Sequence, residues 1–181
     1  VRIFGKKLDE VRGRIAYVPQ RSSVDWDFPV NVLDTVLMGR YRPQGLFRRT
    51  SQRDRDIAWE SLQKVGMEKY AKRQISQLSG GQQQRVFIAR ALSMQADLYL
   101  LDEPMAGVDA ATEDTIISLL QDMREAGKTI LVVHHDLQTA HRYYDWLLMM
   151  NTRLVASGPT EEVFTEQNLH DTYGGRLNIL T

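Results

Sequence analysis

The chain has 181 residues, 43% hydrophobic and 25% charged, and its 23 basic and 23 acidic side chains cancel to zero net charge. That length supports one domain with a real core and a small subdomain, and neutrality withholds the basic excess on which nonspecific nucleic-acid binding depends, so no nucleic-acid partner is expected. With no cysteine, disulfides and thiolate metal sites are excluded.

In chain order, residues 1–4 and 14–18 read as short strands joined by a charged connection over 5–13. The chain starts with Val1 inside an element, so it is read as a piece of a longer protein whose N-terminal part is missing. Residues 21–77 differ in composition. Trp26, Phe28 and Pro29 form an aromatic loop, equally suited to packing or to docking a partner, and Asn31 caps a short helix over 32–38 stopped by Gly39. Residues 40–49 are basic and loop-like. Ser51 with Asp54 three residues on marks a capped helix running to Gly66, with Ala58, Leu62 and Val65 inward and Trp59 a core residue of the subdomain.

Ser79-Gly80-Gly81 then precedes a helical pattern in Val86, Ala89 and Leu92. Residues 98–101 read as a buried strand, 109–126 as a helix with Ile116, Leu119, Leu120 and Met123 inward and Gly127 closing it, and 129–133 as a second buried strand. Asp136 caps a helix through Tyr143, and 146–150 with 154–156 form a hairpin around 151–153. A last helical piece opens at 158–162, and the tail over 164–181 has no assigned role. The apolar runs at 130–133 and 146–150 are far too short to span a bilayer. Strands alternating with helices predict an α/β fold with a mainly parallel sheet covered on both faces.

Three stretches carry chemistry. At Leu78-Ser79-Gly80-Gly81-Gln82 a hydroxyl and two glycines open a helix, whose unpaired N–H groups and dipole favour an anion, although any cap and loop can look the same. Asp102-Glu103 ends a buried strand, where Asp102 is suited to hold magnesium or its waters. His134-His135-Asp136 follows the next strand; neighbours on a strand face opposite ways, so the two histidines do not chelate together.

The signature-like run 78–82 and the carboxylate-ended strand 97–104, in this order and spacing, resemble ATPases of the ABC family. The resemblance implies a P-loop NTPase (RecA-like) sheet over 1–20 and 78–181, with 21–77 inserted as a small helical subdomain. It implies ATP and Mg2+ as ligands, with Gln20 as the Q-loop glutamine reaching the magnesium and the attacking water, Asp102 at the magnesium and Glu103 as general base. It assigns His135 to the γ-phosphate as switch histidine, leaving His134 a structural neighbour. Asp109 becomes the D-loop aspartate, communicating across a dimer while also capping its helix. Ser79, Gly80, Gly81 and Gln82 would act on the nucleotide of the opposite subunit, making a two-fold homodimer with ATP sandwiched between copies.

Residues 21–30, 37–41 and 106–112, with the His134-His135-Asp136 variant, are similar to ATPase subunits of bacterial manganese, zinc and iron importers. That implies a peripheral position on the cytoplasmic face of the plasma membrane, a transmembrane permease as partner, and a separate extracytoplasmic metal-binding protein in the same system. One family element is missing. The P-loop pattern G-x-x-x-x-G-K-[ST] is not found: Gly127-Lys128-Thr129 has Asp122 where the first glycine belongs, and it leads from a helix into a strand, the reverse of a P-loop's setting. The 181 residues as they stand are therefore expected to bind ATP weakly or not at all. Two other readings remain. A DNA-repair-type ATPase would carry a long coiled coil between Gln20 and Ser79, where only the small subdomain stands. A non-catalytic partner subunit would lack its P-loop altogether.

Overall fold

The computed structural model describes residues 1–41 and 50–174. Most of the basic loop at 40–49 and the end of the tail lie outside the described residues. The described residues fall into two compact units, one ending at Val133 and the other beginning at His134.

In the first unit, β1 (Arg2–Ile3) and β2 (Lys6–Lys7) make a small antiparallel hairpin, followed by one helical turn, α1 (Leu8–Val11). The first predicted strand thus pairs with the charged connection, where Phe4 and Gly5 turn at positive φ, 52° and 73°. The principal sheet is parallel, with order β3 (Ile15–Val18), β4 (Leu98–Asp102), β5 (Thr129–Val133). In register, Ala16, Tyr99 and Ile130 lie side by side, as do Val18, Leu101 and Val132. Those rows belong to one hydrophobic core with Val86 and Ala89 of α4 (Gly80–Ser93) and Ile116, Leu119, Leu120 and Met123 of α5 (Ala110–Glu125).

The other face departs from the expectation of cover on both sides. Tyr17 is exposed, and Leu131 and Val133 are each 48% exposed. The predicted second buried strand, β5, has one strand neighbour among the described residues and alternates with Ile130 and Val132 inward. Its all-apolar composition hid an alternation that only the pleat reveals.

Between β3 and α4 lie α2 (Val32–Leu37) and α3 (Gln52–Lys64), both packed on α4. Asn31 caps α2 by accepting from the Asp34 N–H at 2.8 Å. Gly39 does not stop that helix as a left-handed residue would. It sits in a closing 3₁₀ turn, where an added Cβ would lie 2.2 Å from Ser93 Oγ and 2.3 Å from the Arg90 carbonyl oxygen. Ser51 and Asp54 form the predicted reciprocal cap on α3. Ala58, Leu62 and Val65 are buried, but Trp59 is 41% exposed, not a core residue. One residue past Ala58 is about 100° around a helix, which carries Trp59 off the inward stripe.

In the second unit, α6 (Leu137–Tyr143) leads to the antiparallel hairpin of β6 (Trp146–Asn151) and β7 (Arg153–Pro159), with Thr152 at the turn at φ 56°. The last two helices, α7 (Thr160–Val163) and α8 (Glu166–Tyr173), pack on the hairpin. Met149 is buried, whereas Trp146, Leu148, Met150 and Leu154 are exposed. None of the described helices is long and apolar enough to cross a membrane.

Candidate functional site

A parallel sheet sends the carboxyl ends of its strands to one edge, where ligands of open α/β sheets bind. Two residues beyond β3 stands Gln20; β4 ends in Asp102, with Glu103 next. The register sets Val18 against Leu101, so the two strands end together and their following residues meet. The Gln20 amide Nε2–H donates to Glu103 Oε2 at 3.0 Å, across 83 residues of sequence. With its N–H side turned to the carboxylate, the amide keeps its oxygen as a ligand for a hard cation.

Glu103 also carries a backbone signal that its side chain type does not announce. Its φ is 48°, a left-handed conformation uncommon outside glycine, and its N–H is tied to the Val133 carbonyl at 3.1 Å. Phe4, Gln95 and Thr152 share that conformation in turns, whereas Glu103 adopts it directly after a strand of the principal sheet.

The helix α4 begins beside this edge. Ser79 is its N-cap: Ser79 Oγ accepts from the Gln82 N–H at 3.4 Å, and Gln82 Oε1 accepts from the Ser79 N–H at 3.0 Å. The serine uses a lone pair there, so its O–H proton remains a donor. Gly80 and Gly81 supply the first helical residues, whose N–H groups have no partner within the helix. Each glycine faces a specific neighbour. A Cβ on Gly80 would lie 3.1 Å from the Arg21 guanidinium carbon, and one on Gly81 would lie 3.5 Å from the Thr112 side chain.

Asp109 caps α5, accepting from the Thr112 N–H at 2.9 Å and the Thr112 hydroxyl at 3.0 Å. Those bonds, the backbone one foremost, hold its carboxyl below the usual range. The expected cap is therefore present, and through Thr112 it touches the Gly81 turn. His135 belongs to the second unit, two residues beyond β5. Its neighbour His134 shares a hydrogen bond with Thr139 Oγ1 at 2.9 Å and meets the Tyr144 ring edge-on, as a structural residue does.

Two residues have no individual role in the sequence reading. Arg21 stands there only within the 21–30 run, yet it bridges the Gln20 side and the α4 side of the site. Thr112 stands there only as the end of the 106–112 run, yet its side chain joins the Asp109 cap to the Gly81 turn. Only the adjacency of Arg21 to Gln20 could have drawn attention to it.

As for a metal, no group of three or more His, Asp or Glu side chains is gathered to hold one among the described residues. Magnesium keeps several waters and takes one or two protein groups together with substrate phosphates. Asp102 and Gln20 are of the right donor class.

Comparison with known proteins gives the same reading of the fold. The ABC transporter family model matches residues 1–106. The chain is 62% identical over 180 residues to the manganese transport system ATP-binding protein of Bacillus subtilis, covering 99% of this chain and 72% of that one. It is 53% identical to the zinc transport system ATP-binding protein of Treponema pallidum, covering 98% of this chain and 67% of the relative. Among solved structures, a candidate metal-chelate type ABC transporter in an inward-facing conformation superposes with a TM-score of 0.79 at 31% identity, over 88% of this chain and 64% of that one. A dimeric ATP-binding cassette bound to ADP and Pi superposes at 0.70 with 30% identity, over 84% and 66%. The carboxyl-edge Gln20–Glu103 pair, the glycine-opened helix and these matches lead to one assignment: the chain belongs to the ABC transporter family of ATP-binding subunits.

Proposed function

We propose that this chain is the ATP-hydrolysing subunit of a bacterial importer for a transition-metal cation, manganese, zinc or iron. The observation that carries the catalytic part is the Gln20–Glu103 hydrogen bond at the carboxyl edge of the sheet. The cation class rests on the manganese and zinc transport systems to which its relatives belong. Residues 1–20 and 78–181 are read as the ATPase core and 21–77 as the inserted helical subdomain.

In this reading Glu103 accepts a proton from the attacking water, and Gln20, bonded to it, orients that water for in-line attack on the γ-phosphate. Asp102 and the Gln20 amide oxygen would hold a magnesium ion arriving with the nucleotide, which would neutralise charge at the phosphates. His135 donates to the γ-phosphate. The Ser79 hydroxyl, the N–H groups of Gly80 and Gly81, and Gln82 contact the phosphates of the nucleotide carried by a second copy. Asp109 stands next to that turn through Thr112, as a residue reporting across the dimer should. Two copies dimerise on ATP and part after hydrolysis, driving a membrane permease that receives its metal from an extracytoplasmic binding protein. The subunit works peripherally at the cytoplasmic face of the membrane.

The test is Glu103→Gln in the natural full-length protein. The amide keeps the shape but cannot take the proton, so ATP binding and an ATP-stabilised dimer should persist. Turnover should fall by about 100-fold or more. Hydrolysis at the wild-type rate would remove Glu103 from the base role.

A further inference from the structure

Arg21 occupies a place that mildly disfavours its charge. It stands beside the first residue of α4, where the helix dipole is positive and favours anions over cations. It is nonetheless held there from several directions. Its Nε and Nη2 both donate to Gln83 Oε1, at 3.2 and 3.0 Å. Gln83 is only 4% exposed, and its own amide donates to the Ile75 carbonyl at 3.2 Å, so the acceptor is fixed in turn. The Trp26 indole N–H donates to the Arg21 carbonyl at 2.8 Å, and the guanidinium lies 5.8 Å from the Trp26 ring centre. That ring packs 4.8 Å from Phe87, one turn further along α4.

On its other side Arg21 is covalently joined to Gln20, whose carbonyl closes a tight turn by accepting from the Ser23 N–H and hydroxyl. A continuous run therefore leads from Glu103 through Gln20, Arg21 and Gln83 into the helix that begins with the glycine turn. Gly80 has no side chain at the point where the guanidinium passes, and an added Cβ would stand 3.1–3.3 Å from it.

We propose that Arg21 is a positioning residue. It anchors the Ser79–Gln82 turn through Gln83 and adds positive potential at that turn, which becomes favourable when nucleotide phosphates occupy it. The proposal rests on the reading of Glu103 and residues 79–82 given above. A purely structural strut beside a helix N-terminus would be better made with an acid or a neutral side chain. A cation held there by a buried amide is suited to a turn that must receive an anion.

The experiment is steady-state ATP hydrolysis by the natural full-length protein in its membrane complex, comparing wild type with Arg21→Ala, Arg21→Lys, Gln83→Met and the Arg21→Ala/Gln83→Met double variant. Arg21→Ala should raise the KM for ATP about tenfold, the scale of one charge-assisted hydrogen bond, with kcat at saturation changed less than about twofold. Arg21→Lys, which keeps the charge but not the fork, should recover part of the loss. The double variant should be no worse than Arg21→Ala, since both break one link. An unchanged KM in Arg21→Ala, or losses that multiply in the double variant, would overturn the proposal. Arg21 is surface-accessible, so its two variants decide the matter even if Gln83→Met does not fold. Glu103→Gln run alongside separates the two levels. Turnover retained there removes the reading of the site; turnover lost there, with KM unmoved in Arg21→Ala, removes only the role of Arg21.

Discussion

At the scale of single residues, the strongest electrostatic feature away from the site is Asp54. Hydrogen bonds from the Ser51 hydroxyl and N–H, with the Arg40 guanidinium 3.1 Å away, lower its carboxyl to about 2. Both side chains of the Arg40–Asp54 pair are only 11% exposed, and Arg40 also donates to the Ser93 carbonyl at 2.6 Å. A carboxyl whose folded value lies below its unfolded one adds stability above the unfolded value and loses it as the pH falls toward the folded one. Stability should therefore decline between pH about 4 and about 2 through this residue, and Asp54→Asn should flatten that part of a denaturation-versus-pH curve. At neutral pH the same variant leaves a largely buried guanidinium without its counter-charge. A loss of about 3 kcal/mol is expected by urea titration.

At the scale of elements, α4 is the piece on which the others converge. At Gly39 there is no room for a Cβ against it, so Gly39→Ala must push the α2 end away from Arg90 and Ser93. A destabilisation of about 1–3 kcal/mol, read as a lower midpoint of thermal or urea unfolding, is expected from such overpacking. An unaltered midpoint would mean that the 3₁₀ turn shifts freely. Ser51→Ala removes the α3 cap and should cost about 1 kcal/mol by the same measurement.

Much at this scale was legible in the sequence, for definite reasons. The Asn31, Ser51, Ser79 and Asp109 caps announce themselves because a short polar side chain just before a helical period has few other uses. What escaped depends on partners distant in sequence. Gly39 looked like punctuation, and its cause lies at Ser93. The alternation of β5 was invisible because both of its faces are apolar. Trp59 was read by residue type against its helical phase. At the site, residue type pointed to Asp102 and the family resemblance to Gln20 and Glu103, but neither the bond between Gln20 and Glu103 nor the bridge made by Arg21 is contained in any motif.

At the scale of the whole molecule, apolar surface is the salient property. In the first unit one sheet face exposes Tyr17, Leu131 and Val133; in the second, one hairpin face exposes Trp146, Leu148, Met150 and Leu154. Neighbouring strands place Met150 directly opposite Leu154, so the hairpin residues form a patch and not scattered contacts. Patches of this kind drive association. The 181-residue chain in isolation should scatter light increasingly with concentration, and Leu148→Lys with Leu154→Lys should reduce that slope. A chain that stays monomeric into the millimolar range would show that the patch is not adhesive.

The backbone at Glu103 has a consequence for heredity. Holding a non-glycine residue at φ 48° costs about 1 kcal/mol, which Glu103→Gly would recover while discarding the carboxylate. On the role proposed for Glu103, such a subunit should accumulate about as well as wild type, the relieved backbone offsetting the lost Gln20 bond, and still join assemblies without turning over. An allele of that kind would behave as dominant over a normal copy in the same cell, so the position where folding and chemistry conflict is also the one where a single substitution does the most harm.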